Sequence, residues 1–161
     1  MLDAALTAIA QSPPAEAVKA SYYAYPLVNA AHILGLATLF GAILALDLRL
    51  LGLFRRVPAQ PLAQVLPFVS LGGLVLAILT GLLLFAVDPH VYVANRAFLT
   101  KLTLVALGVI HAASLRFSPD WHAMLQHGTA HPRLRVSAAL SLTIWTSAIL
   151  SGRMIAFVGE A

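Results

Sequence analysis

The sequence predicts an all-α fold: an integral membrane four-helix up-down bundle preceded by a short N-terminal interfacial helix. Three observations predict it. Of 161 residues, 60% are hydrophobic and only 10% charged, against about 25% charged in an ordinary soluble domain. Mean hydropathy is +0.89. Four apolar stretches are each long enough for a hydrocarbon core that needs about 20 helical residues, and they are joined by short connections. The chain divides into an N-terminal segment, 1–25, and a four-span domain, 26–161. The spans fall at about 26–53, 65–87, 97–117 and 136–158.

In the N-terminal segment Leu2, Leu6 and Ile9 recur at helical spacing, as in a short helix lying on a membrane surface. Pro13 and Pro14 are read as its end. Asp3 and the absence of a basic leading region make this a poor signal peptide. The tyrosines of SYYAY, residues 21–25, stand where an interfacial aromatic belt precedes a span. Span one carries His32 well inside and ends in DLRLLGLFRR, with Asp47 and Arg49 near the far interface. Pro58, Pro61 and Pro67 mark the connection and the start of span two, which Asp88, Pro89 and His90 close. Asn95 and Arg96 precede span three. SPDWHAMLQHGTAHPRLR reads as a polar loop before span four. Glycines within the spans let helices approach closely.

Charge orients the bundle. Arg49, Arg55, Arg56, Arg116, Arg133 and Arg135 gather at one end; Lys19 and Arg96 stand at the other. The richer end is expected in the cytoplasm, which puts both termini in the periplasm of a bacterial inner membrane. Basic residues that sit mostly in short connections read as topology signals rather than a nucleic-acid surface. With no cysteine, disulfides, thiolate metal sites and thiol redox chemistry are excluded.

The polar residues inside the spans carry the functional reading. An ionisable group at such depth costs on the order of 2.5–3.5 kcal/mol on insertion scales, so its default reading is functional. At about 1.5 Å per residue, His32, Thr80, Lys101 and Arg153 fall in one outer layer, one from each span, within about 5 Å of depth. Asn29 shares the face of His32, and Met154 adjoins Arg153. His111 lies some 12 Å deeper, too far for His32 and His111 to ligate one haem.

A histidine beside two cations in a low-dielectric layer calls for an anionic ligand, because Asp88 and Glu160 are at or beyond the interface. A haem b suits it: His32 on the iron, Lys101 or Met154 as second ligand, Lys101 and Arg153 on propionates. The bland readings stand beside this one. Lys101 and Arg153 are near enough to the interface to snorkel. His32 can be a packing residue bonded to Asn29 or a neighbouring hydroxyl, and His111 a packing residue or a lesser metal ligand. His122, His127 and His131 have the spacing of a surface metal site without supporting acids. Asp47 is read as an ion pair with Arg49, Arg55 or Arg116.

The runs HILGLATLFGAILALDLRLLG, TGLLLF, NRAFLTKLTL and IWTSAILSGRMIAF resemble a group of small bacterial four-helix membrane proteins of unassigned function, over nearly everything from His32 to Phe157. More loosely, their order is similar to HemJ-type protoporphyrinogen oxidases and to the membrane domain of CopD-type copper-resistance proteins. The HemJ resemblance implies haem b, with His32 and Lys101 at the positions on which that family depends. LFGAILALDLRLLG stands where HemJ proteins carry a tryptophan and a PR-type sequence, and Arg153 has no counterpart there. The resemblance therefore implies haem more directly than porphyrinogen oxidation.

The expected function is a membrane b-type haem protein for electron transfer or redox chemistry. Its expected partners are the lipid bilayer, a redox subunit or quinone, and further copies of the chain. The rival readings are a HemJ-like oxidase and a non-haem transport or assembly subunit. Met1, Met124 and Met154 form no ladder of copper ligands.

Overall fold

The computed structural model describes residues 1–128 and 131–158. These are almost wholly helical: α1 (Leu2–Ala10), α2 (Pro13–Ala20), α3 (Ala24–Leu51), α4 (Ala59–Val87), α5 (Pro89–Ala94), α6 (Arg96–Arg116), α7 (Pro119–His127) and α8 (Pro132–Val158). Four of them, α3, α4, α6 and α8, are long and apolar enough to cross a membrane, which defines a multi-pass membrane protein. Glu160, an expected carboxylate at the outer end, lies outside the described residues.

The helix limits differ from the sequence reading mainly at proline. Pro13, Pro89, Pro119 and Pro132 each open a helix rather than end one. Proline suits the first helical position, where its missing N–H would have had no partner and its φ is already helical. Ser118 caps α7 by accepting from the Trp121 backbone N–H, and Asp88 caps α5 from Val91. The stretch read as a polar loop thus contains α7, and the N-terminal segment holds two helices. α4 starts at Ala59, ahead of the expected 65, with Pro61 in its first turn and Pro67 inside it.

α3 packs along α4, α6 packs along α8, and α3 against α8 joins the two pairs. Between α4 and α6 no Cα atoms come within 8 Å. The α3–α4 contact is made by glycines. A Cβ on Gly73 would meet the Leu39 backbone nitrogen, and one on Gly35 would sit 2.8 Å from the Ala77 nitrogen, so only glycine permits this crossing. Gly52, at φ 104°, ends α3 in the left-handed conformation.

The main apolar core lies at one end of the bundle. Leu46 and Leu50, Ala59 and Ala63, and Leu134 and Ala138 meet there, and α7 seals them with Trp121 and Met124. Gln60 ties α4 to this plug by donating to the Leu125 carbonyl at 2.8 Å. At the opposite end α1 and α2 fold back on the bundle, α1 against α5 and α2 against α3 and α4, burying Leu6, Ala15 and Val18.

Candidate functional site

His32 is held from α4. Its Nδ1 lies 3.0 Å from Thr80 Oγ1, and the same hydroxyl is 2.6 Å from the Leu76 carbonyl one turn earlier. A hydroxyl has one proton. Thr80 spends it on Leu76, so its oxygen accepts from His32, and the imidazole proton sits on Nδ1. The ring also makes a backbone hydrogen bond to Ala77, one turn before Gly81. The ring rests against Gly81, where a Cβ would stand 3.1 Å from His32 Cε1. Thr80 is buried and His32 half-buried. Asn29 is exposed and is not the partner of His32.

Lys101 reaches this level from α6. Its stem lies over Gly152 of α8, whose Cβ would be 3.3 Å from Lys101 Cδ and 3.7 Å from Nζ, on the side of the bundle near His32. Asn95 sets the register. It caps α6 by accepting from Ala97 and Phe98, and its side-chain amide donates to the Ile155 carbonyl of α8 at 3.1 Å. Beyond Lys101, Phe85, Tyr92 and Phe98 form an aromatic cluster with centroids 5.2–6.1 Å apart. Burial, and then Tyr25 beside it, holds the Tyr92 phenol above its usual pKa.

The structure therefore brings His32, Thr80 and Lys101 together, with Gly81 and Gly152 making room for them. It does not bring in the other expected residues. Arg153 is exposed, its guanidinium 5.1 Å over the Phe157 ring of its own helix, and Met154 is exposed as well.

His111 belongs elsewhere. Its Nε2 is 3.0 Å from Ser137 Oγ, and it borders a cavity of about 410 Å³ between the two helix pairs. The loop histidines do not converge. His122 Nδ1 is 2.9 Å from the Ser118 carbonyl, and His131 Nδ1 is 3.8 Å from Asp120 Oδ1. Among the described residues no three His, Asp or Glu side chains gather as a metal site.

Asp47 was read from the sequence as an ion-pair partner, and no ion pair reaches it among the described residues. Arg49 donates to the Val57 carbonyl, Arg55 to the Gly52 carbonyl, and the Arg116 guanidinium lies 5.2 Å over the Phe68 ring. Asp47 is 5% exposed and its Oδ2 has no hydrogen-bond partner. It is a wall of the cavity, beside Ser141. The available signal was spacing: residues two apart on a helix face different ways, so Asp47 and Arg49 could not share the surface.

The chain matches no protein-family model, no curated protein and no solved structure at a significant level. Fold and site thus define it by themselves, as a multi-pass helical membrane protein with an oriented histidine and lysine at one level and an acid-walled cavity at another.

Proposed function

We propose that this is a b-type haem protein of the bacterial inner membrane, with His32 as axial ligand through Nε2. The observation that carries the reading is the assignment of the imidazole proton to Nδ1. A ligating histidine characteristically donates its other ring N–H to a fixed acceptor, which sets tautomer and ring orientation, and Thr80 supplies that acceptor. Lys101 would hold a propionate as an ammonium, or the iron only as a neutral amine. Arg153 is turned outward and would meet a propionate only at the rim of the bundle. The haem itself supplies one-electron redox capacity, and the chain's part is to hold it, orient it and exclude water.

In this reading the four long helices run up and down through the membrane. Both termini face the periplasm, and α1 and α2 lie at the outer interface. α6 buries little of its surface and is the face offered to a redox partner or a second copy. The resemblance to HemJ-type oxidases agrees with the pair His32 and Lys101.

The test is haem content. Protein purified in mild detergent from haem-replete cells is expected to carry about one haem per chain by pyridine haemochrome, and His32→Ala none. A wild type without haem would overturn the proposal. Haem together with porphyrinogen turnover would move the assignment to the oxidase.

A further inference from the structure

We propose that the cavity walled by Asp47 is a binding site for a neutral, lipid-soluble aromatic molecule that donates a hydroxyl, a hydroquinone or phenol, to the Asp47 carboxyl group. The proposal goes beyond the haem reading and does not depend on it.

Three features of the cavity point to this ligand. Its volume, about 410 Å³, lies within the range of small-molecule sites, about 300–1,000 Å³. Its lining includes Phe68 and Leu71 of α4 and Val109 of α6, which are exposed on the apolar surface of two helices that do not approach each other. A ligand therefore enters from the hydrocarbon. Its deep wall holds one carboxyl group, Asp47, with Oδ2 buried and unpartnered, and Ser141 beside it.

A buried oxygen without a partner is costly, and a hydrogen bond from a ligand hydroxyl is a direct remedy. A cationic amine would supply donors too. As an ammonium ion it would be costly in hydrocarbon and would share the cavity lining with the Arg116 guanidinium, which lies 5.2 Å over Phe68. A neutral hydroxyl meets neither obstacle. The ring requirement follows from the walls, where Trp121, Trp145 and Phe68 offer flat apolar faces.

The chain has two tryptophans, Trp121 and Trp145, and both line this cavity, so intrinsic fluorescence reports on it directly. The full-length protein in lipid nanodiscs would be titrated with 2-decyl-1,4-hydroquinone, kept reduced, and with its dimethyl ether, which keeps the shape and removes both donors. Saturable quenching by the hydroquinone is expected, with the ether weaker by about tenfold or more. Asp47→Leu should erase that preference. His32→Ala should leave it intact, which separates this site from the haem assignment. Equal affinity for hydroquinone and ether, no saturable response, or tighter binding of dodecylamine than of the hydroquinone would overturn the proposal. The comparison on the wild type decides the matter even if Asp47→Leu does not fold.

Discussion

Thr80 and Asp47 are opposite cases of a polar side chain within an apolar span. Thr80 is satisfied twice, by the Leu76 carbonyl and by His32. Thr80→Val keeps the shape and removes both bonds. It should destabilise the fold by about 1 kcal/mol and lower haem retention, whereas Thr80→Ser should restore retention; haem-to-protein ratios after gel filtration check this. Asp47 carries one orphaned oxygen, Oδ2, and, among the described residues, Ser141 alone for a side-chain hydrogen bond, so replacing this buried acid by an apolar side chain is expected to help. Asp47→Leu should raise detergent stability by about 1–3 kcal/mol, read as a higher Tm for unliganded protein. A lower Tm would show that the carboxylate is paired. His32 was legible from the sequence because an ionisable group at such depth stands out. Its partner was not: the sequence offers Asn29 or a neighbouring hydroxyl, and the α3–α4 crossing places Thr80 against the ring. The outward face of Arg153 was not legible, because depth along a helix carries no information about the face it occupies.

At the level of elements, the spans were legible because their hydropathy is unmistakable, and the short helices α2, α5 and α7 were hidden by the prolines that open them. Pro119 after Ser118 reads equally as a break or as a capped start, and burial of Trp121 and Met124 decides it. Met124→Ala in this plug should cost about 2–5 kcal/mol, measured by chemical or thermal unfolding. The glycine contact gives a sharper contrast. Gly73→Ala drives a Cβ into the α3 backbone, whereas Gly41 has nothing within 4 Å of an added Cβ. Gly73→Ala should destabilise by about 1–3 kcal/mol, and Gly41→Ala should leave the Tm unchanged or slightly raised.

For the whole molecule, composition settles the class, and the up-down topology with outward termini is the part to be tested. The absence of native cysteine makes that direct. An impermeant maleimide should label Gln11→Cys in intact spheroplasts and Gln126→Cys only after permeabilisation; the reverse pattern would invert the topology. The cavity was not legible in the sequence, since it arises from the gap between α4 and α6, which no local pattern encodes. The central claim is that His32 ligates a haem, and an absorption spectrum tests it most directly. Wild type, His32→Ala and His111→Ala would be recorded oxidised and after dithionite. A Soret band with reducible α and β bands in wild type and His111→Ala, absent from His32→Ala, is the expected result. A colourless wild type, or a His32→Ala spectrum unchanged from wild type, would contradict it.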